Sequence, residues 1–135
     1  MCGPATPRVG ILLIGHGDLP RALRAAAAHI LGTPALATTA IGIAADEDTD
    51  AARARIAQAI AALDSGAGVL ILIDALGATP YRLAHAAAEG RDRVATVTGV
   101  NLPMLVRVYN YPDMGLAELA ESAVAAGQRG AARMA

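Results

Sequence analysis

Residues 9–18, which read VGILLIGHGD, place a single histidine between two glycines directly after an apolar run. Residues 9–14 are short and almost continuously apolar, which is typical of a strand buried on both faces. The next segment has helical spacing, so His16 is predicted to lie at a loop tip beside a helix N-terminus. The first N–H groups of a helix are unpaired and its dipole favours negative charge. An imidazole at this position is therefore well placed to take and give a phosphoryl group.

The remaining chain alternates between apolar runs and segments with helical spacing. Asp18 and Thr49 are the predicted N-caps of the first two helices, and Gly32 followed by Pro34 ends the first of them. Strands are predicted at residues 9–14, 37–43, 68–74 and 94–98. Helices are predicted at residues 19–31, 49–63, 80–89 and 102–109, with a final helix from residue 116 onward.

This alternation predicts an α/β fold. A parallel sheet with helices on both faces is expected, because each strand–helix–strand crossover runs right-handed over one face of the sheet. We expect an open, mostly parallel sheet in the order 2-1-3-4, with room for one added antiparallel strand at an edge. The chain has 135 residues and shows no internal repeat or linker, so a single domain over residues 1–135 is predicted.

Composition narrows the class of protein. Hydrophobic residues make up 55% and charged residues 17%, which argues against intrinsic disorder. The net charge is −1 with no basic stripe, which argues against a nucleic-acid partner. All eleven basic residues are arginine, so a lysine nucleophile, a Schiff base and a P-loop lysine are excluded.

Cysteine content and hydropathy indicate the compartment. Cys2 is the one cysteine, so neither an internal disulfide nor a thiolate metal cluster can form. The longest apolar run is far too short to cross a membrane, and residues 1–8 lack the apolar core of a signal peptide. We therefore expect a cytoplasmic protein.

Strand order also predicts where a site would lie. In an open parallel sheet, ligands bind at the carboxyl ends of the strands, where the strand order reverses. For the order 2-1-3-4 this point lies between strands 1 and 3, so His16 and Asp74 are expected to be neighbours. A carboxylate that accepts from one ring nitrogen fixes the tautomer and leaves the other nitrogen as a nucleophile.

The same edge of the sheet supplies further candidates. The Thr79 hydroxyl and the N–H groups of the turn at residues 77–79 could hold phosphoryl oxygens, with Pro80 in the first turn of the helix behind them. Asn101 opens the next helix at this edge and is a predicted rim residue. The candidate phosphoryl-binding residues are Gly17, Gly77, Ala78 and Thr79.

Simpler interpretations exist for each signal alone. A lone histidine after a strand is most often a solvated loop residue, an aspartate at a strand end often caps a turn, and Thr79-Pro80 is an ordinary helix start. A functional site is favoured because all three signals fall at the same carboxyl edge of the predicted sheet. His29 and His85 are predicted to be helix residues without a catalytic role. The acidic turn at residues 46–48 is predicted to be solvated, although it lies at the His16 edge and could meet a basic partner.

Three segments resemble a known family, the mannose-type enzyme IIA of the bacterial phosphoenolpyruvate-dependent sugar phosphotransferase system. They are IGHG at residues 14–17, DALGATP at residues 74–80 and GVNLPML at residues 99–105, the last being the most specific. With their spacing, they cover roughly residues 9–130.

The resemblance implies a phosphocarrier that needs no metal, nucleotide or other cofactor. His16 would receive a phosphoryl group on Nε2 from the histidine-phosphocarrier protein and pass it to an enzyme IIB, with Nδ1 left for Asp74. The resemblance also implies a cytoplasmic homodimer, peripheral to a membrane permease at most, with a C-terminal segment near residues 130–135 exchanged between subunits.

Two departures from the family pattern leave alternatives open. Ala78 replaces the usual second glycine of the turn, and Arg82 stands where the family often carries a small or amide residue, at the rim, where it would touch phosphate or solvent. No IIB segment is present in these 135 residues, so a stand-alone regulatory module switched by His16 phosphorylation is the alternative. A hydrolase or mutase with a phosphohistidine intermediate ranks last, because Gly15, not arginine, precedes His16.

Overall fold

The structure, a computed structural model, describes residues 6–135. Cys2 and the rest of residues 1–5 lie outside the described part. The expectations about Cys2 and about a signal peptide therefore fall, wholly or in part, outside the described residues. The strands are β1 (Gly10–His16), β2 (Thr38–Ile43), β3 (Val69–Ile73) and β4 (Val94–Thr98). The helices are α1 (Leu19–Leu31), α2 (Thr49–Leu63), α3 (Thr79–Ala88), α4 (Leu102–Asn110) and α5 (Leu116–Arg129).

The sheet has the predicted order, β2-β1-β3-β4, and all its strand pairs are parallel. The order therefore reverses between β1 and β3, as the switch-point argument requires. The antiparallel edge strand that the sequence allowed is not formed within residues 6–135, where each of β1 to β3 is followed by a helix that returns the chain before the next strand. Residues 131–135 have no regular secondary structure.

Two hydrophobic layers cover the sheet, one on each face. Ile11, Leu13, Leu70 and Leu72 pack on one side against buried residues of α1, α4 and α5. The alternate strand residues, among them Leu12, Ile14, Ile71 and Ile73, pack on the other side against α2 and α3. Because both faces are buried, β1 and β3 are apolar at nearly every position rather than at every second one.

Of the two predicted helix caps, Asp18 is confirmed in position but not in its hydrogen bond, and Thr49 is wrong. Asp18 occupies the N-cap position of α1, but its side chain makes no capping hydrogen bond and instead pairs with Arg21. Its φ of −90° and ψ of 0° depart from the extended conformation that presents a cap oxygen to the helix. In α2 the cap is Asp48, whose carboxylate accepts from the N–H of Asp50 at 3.3 Å, and Thr49 is the first helical residue.

Two structural features of residues 6–135 bear on the class of protein. None of the helices in this range is long and apolar enough to cross a membrane. Nor does the range bring together three or more histidine, cysteine, aspartate or glutamate side chains in an arrangement that could hold a metal ion.

Candidate functional site

The β1–β3 ladder brings His16 and Asp74 to the same point on the carboxyl edge of the sheet. His16 is the last residue of β1. Beyond the end of β3, the N–H of Asp74 still donates to the carbonyl of Ile14 at 3.2 Å, so the pairing continues for one more residue. The Asp74 side chain therefore begins beside the end of β1.

One oxygen of Asp74 contacts His16 at two places. Oδ2 lies 2.7 Å from the ring Nδ1 and also accepts the main-chain N–H of His16 at 2.9 Å. The His16 side chain is 58% exposed, whereas that of Asp74 is 10% exposed. The predicted proximity is thus observed, and the pair combines an open imidazole with a sheltered carboxylate.

The environment of Asp74 favours its charged form. Burial raises the pKa of this carboxyl, but the hydrogen bond from the His16 ring, the main-chain N–H of His16 and the attraction of the ring outweigh burial. The nearby N–H of Ala75 acts in the same direction, so the pKa is lower than usual. Oδ1 is buried and has no hydrogen-bond partner of good geometry among the described residues.

The charge on Asp74 decides the tautomer of His16. A carboxylate only accepts hydrogen bonds, so Nδ1 must carry the proton that points at Oδ2. Within residues 6–135, nothing is hydrogen-bonded to the other ring nitrogen, Nε2. In the neutral ring, Nε2 therefore holds the free lone pair of a nucleophile.

Glycines at three positions permit the close packing around this pair. A Cβ on Gly15 would lie 2.9 Å from Cγ and from Oδ2 of Asp74, and a Cβ on Gly42 would lie 1.8 Å from the carbonyl oxygen of Gly17. Gly17 itself has a φ of +56°, which disfavours other residues. The sequence reasoning missed the roles of Gly15 and Gly42, although a glycine inside a strand is a known sign of close backbone approach.

Gly17 is not available as a phosphoryl-binding N–H donor. Its N–H donates to the carbonyl of Ile43 at 3.0 Å, because the parallel pairing of β1 with β2 extends to the register pair of His16 and Ile43. The Gly17 N–H therefore belongs to the sheet, and the phosphoryl-binding role predicted for Gly17 cannot rest on this donor.

The turn before α3 retains unpaired donors. Gly77 has a φ of +82°, and Ala78 stands in an extended conformation at the N-cap position, where its side chain offers no cap. Across residues 6–135, the N–H groups of Gly77, Ala78 and Thr79 have no hydrogen-bond acceptor. These donors lie at the positive end of the helix dipole, an arrangement suited to anions.

Arg82 and Asn101 are placed differently from each other. The exposed Arg82 folds back over the turn and donates to the carbonyl of Gly77 at 3.1 Å and to Oγ1 of Thr79 at 3.2 Å. The amide of Asn101 accepts from the N–H of Met104 and donates to the carbonyl of Gly127, both at 3.0 Å. Asn101 therefore caps α4 and ties it to α5, and no hydrogen bond joins it to His16 or Asp74 within the described residues.

The other sequence candidates lie outside the pair. His29 is exposed in the last turn of α1, and His85 stacks on Tyr81 with ring centroids 6.1 Å apart. In the acidic turn, Glu47 accepts the N–H of Ala44 and pairs with Arg55. Asp46 and Asp48 are exposed, as predicted for a solvated turn, while Glu47 is tied to Ala44 and Arg55.

Fold and site together define an α/β protein with an imidazole–carboxylate pair at the switch point of its sheet. The family model EIIA-man, described as the fructose IIA component of the phosphotransferase system (PTS), matches residues 10–124. The chain belongs to this family.

Relatives of known function agree with the family match. The fructose-specific EIIA component of the PTS of Bacillus subtilis (strain 168) is 30% identical over 100 residues, which is 74% of this chain and 68% of that protein. The mannose-specific EIIAB component of Escherichia coli (strain K12) is 34% identical over 73 residues, which is 53% of this chain and 23% of that protein.

Solved structures share the fold over nearly the whole chain. The mannose/sorbose-specific IIA subunit from Enterococcus faecalis superposes with a TM-score of 0.84 at 24% identity, covering 95% of this chain and 96% of that one. The PTS IIA protein associated with the fucose utilization operon of Streptococcus pneumoniae gives a TM-score of 0.79 at 25% identity, covering 96% of each chain. Family membership assigns the chain a transferase role in sugar phosphotransfer.

Proposed function

We propose that this chain is a histidine phosphocarrier in which His16 accepts a phosphoryl group from the histidine-phosphocarrier protein and passes it to an enzyme IIB. The observation that carries the proposal is the 2.7 Å contact between Nδ1 of His16 and Asp74 in a ring that is 58% exposed. This geometry leaves Nε2 free and open to a docking protein. Such a reaction needs no metal or nucleotide at the site.

The transfer balances without any proton leaving the two proteins. The donor's phosphohistidine ring begins with one positive charge and the phosphoryl group. Its P–N bond breaks as the lone pair of His16 Nε2 forms the new P–N bond, and the donor ring leaves as neutral imidazole. The positive charge then lies on the His16 ring, whose Nδ1–H continues to donate to the Asp74 carboxylate. Asp74 thereby stabilises the charge that develops during transfer.

The turn before α3 serves the phosphoryl oxygens in this proposal. The unpaired N–H groups of Gly77, Ala78 and Thr79 and the Thr79 hydroxyl are donors at a helix N-terminus. Arg82 lies at the rim beside them. Asn101 lies at the rim, but we assign it no contact with the phosphoryl group, because its amide caps α4 and ties it to α5.

The proposal includes a cytoplasmic homodimer with residues 130–135 exchanged. Within residues 6–135, β4 pairs only with β3, so its outer edge is open, and open edges readily pair with a strand of another chain. Light scattering should give a mass near twice 13.6 kDa, and removal of residues 130–135 should shift it toward the single-chain value. A full-length chain that stays monomeric at assay concentrations would count against the dimer.

The function is tested by phosphoryl transfer from phosphoenolpyruvate through the general phosphotransferase proteins. The chain should acquire one phosphoryl group that is labile in acid and stable in base. His16→Ala should abolish labelling, whereas His29→Ala, which removes an exposed histidine from the last turn of α1, should label normally. Asp74→Ala should slow labelling while leaving the fold intact. Labelling of His16→Ala would overturn the assignment.

The acceptor is tested in a second step. When the purified phosphorylated chain is mixed with an enzyme IIB of the mannose type, the label should move from this chain to the IIB. Retention of the label against every such IIB, together with phosphorylation-dependent binding of a regulatory enzyme, would replace the relay by the regulatory alternative.

A further inference from the structure

Arg82 stands at an unusual position for a cation. It lies in the first turns of α3, and its guanidinium folds back over the helix N-terminus to reach Gly77 and Thr79. The positive end of a helix dipole disfavours cations. No carboxylate in residues 6–135 lies within 4.0 Å of the Arg82 nitrogens to offset this cost. A bound dianion would make the arrangement favourable.

The contact with Thr79 fixes the direction of a hydroxyl. Nη2 of Arg82 donates to Oγ1 of Thr79 at 3.2 Å, and guanidinium nitrogens cannot accept hydrogen bonds. The Thr79 O–H must therefore donate away from Arg82. Nη1 of Arg82 donates to the carbonyl of Gly77 at 3.1 Å, so the same side chain also holds the turn that carries the free N–H groups.

We propose that Arg82 is a positioning residue for the phosphoryl group: it holds the Thr79 hydroxyl as an outward donor and fixes the turn through the Gly77 carbonyl. This inference rests on the proposed function. When His16 carries the phosphoryl group, the Thr79 hydroxyl donates to one of its oxygens.

Because Arg82 contacts two acceptors at once, a positioning role can be told apart from an effect of its positive charge alone. Arginine presents a planar fork that can serve two acceptors, whereas lysine is a single ammonium group on a flexible stem. A lysine at position 82 would keep the positive charge but would not hold the Gly77 carbonyl and Thr79 Oγ1 together. Arg82→Lys should therefore resemble Arg82→Gln.

The test measures the equilibrium constant for phosphoryl transfer between the histidine-phosphocarrier protein and the chain, because an equilibrium does not depend on how fast the two proteins dock. Arg82→Gln and Arg82→Lys should each lower this constant about tenfold, the effect of one charge-assisted hydrogen bond. Arg53→Gln is the matched control: it removes an arginine that is exposed and paired with Asp50, and should leave the constant unchanged.

A double-mutant cycle with Thr79→Val asks whether Arg82 acts through Thr79. Arg82→Gln should lower the constant less in the Thr79→Val chain than in the wild type, because only the contact with the Gly77 carbonyl remains to be lost. The proposal is overturned if Arg82→Gln matches the wild type, if Arg82→Lys restores the constant, or if the loss is equally large without Thr79. Failure of the proposed function looks different, since the wild-type chain itself would then not be phosphorylated on His16. Thermal unfolding of each variant confirms that the fold persists.

Discussion

Oδ2 of Asp74 lies 2.7 Å from Nδ1 of His16 and 2.9 Å from the main-chain nitrogen of the same residue. One carboxylate oxygen thus fixes both the ring and the backbone that carries it. Rotation of the ring would break the first contact, and movement of the strand end would break the second. The histidine is therefore held in one tautomer at a defined place while its ring remains 58% exposed.

Asp74 should make the stability of the chain depend on pH below its ordinary pKa. The pKa of its carboxyl is lowered in the folded chain, since the contacts with His16 outweigh burial. The stabilisation that Asp74 contributes to the free energy of unfolding is then present above the unfolded pKa of 3.8. It is lost as the pH falls through the lower pKa of the folded chain. The measurement is the urea-derived free energy of unfolding of the wild type and of Asp74→Asn between about pH 5 and about pH 2.

The difference between the two chains should shrink as acid is added over this range. Asp64, whose pKa is also lowered, is present in both chains, and its effect cancels. A difference that grows on acidification would mean that Asp74 is not stabilised as a carboxylate.

Gly15→Ala should disrupt the pair without touching either partner. The new Cβ would lie 2.9 Å from Asp74, closer than packed atoms tolerate, so the carboxylate must move away from His16. We expect a loss of about 1–3 kcal/mol in unfolding free energy, typical of an overpacked interior, together with slower phosphorylation.

Gly115→Ala is the control for this substitution. Nothing lies within 4 Å of its Cβ position, and Gly115 has a φ of −70°, which other residues adopt. It should cost about 1 kcal/mol or less, as a change at an N-cap, and leave phosphorylation unaltered. Normal His16–Asp74 chemistry in Gly15→Ala would show that the close approach is not needed.

Two exposed leucines lie within three residues of His16 or Asp74 in the sequence and are expected to contact partner proteins. Leu76, in the turn after Asp74, is 73% exposed, and Leu19, three residues after His16, is 44% exposed. Exposed apolar side chains beside a reactive group commonly mark a docking surface. Leu76→Ser should therefore slow phosphorylation by the histidine-phosphocarrier protein but not by phosphoramidate, a small donor that needs no docking.

Ile30→Ser provides the comparison for Leu76→Ser. Ile30 is 53% exposed but lies at the far end of α1, a helix of 13 residues, about 20 Å long. It should affect neither donor. Equal slowing of both donors in Leu76→Ser would indicate a damaged site rather than a lost docking contact.

The meeting of His16 and Asp74 was the part of the site that sequence could predict, given the assumed strand order 2-1-3-4. Alternating elements dictate right-handed crossovers, and the order 2-1-3-4 then places the ends of β1 and β3 side by side. From this alone, His16 and Asp74 could be expected to meet. The apolar strands and the helices behind them followed from periodicity, which burial on both faces enforces.

Local hydrogen bonds were the part that sequence could not predict. Asp18 has the residue type of an N-cap, yet its carboxylate pairs with Arg21, and the cap of α2 falls on Asp48 rather than Thr49. The Gly17 N–H donates to Ile43 through the β1–β2 register, a partner that the sequence did not reveal. Which partner a side chain or N–H bonds to depends on competing groups only a few ångströms apart. The residue type alone does not say which of these groups is favoured.

The central claim is that Nε2 of His16 is the phosphoryl acceptor while Nδ1 keeps its proton on Asp74. NMR of the phosphorylated chain with ¹⁵N-labelled histidine tests it most directly, because phosphorus couples to the nitrogen that carries it. The predicted result is a phosphoryl group on Nε2 of His16 and a protonated, hydrogen-bonded Nδ1. Phosphorus on Nδ1 of His16, or on any other residue, would contradict the account.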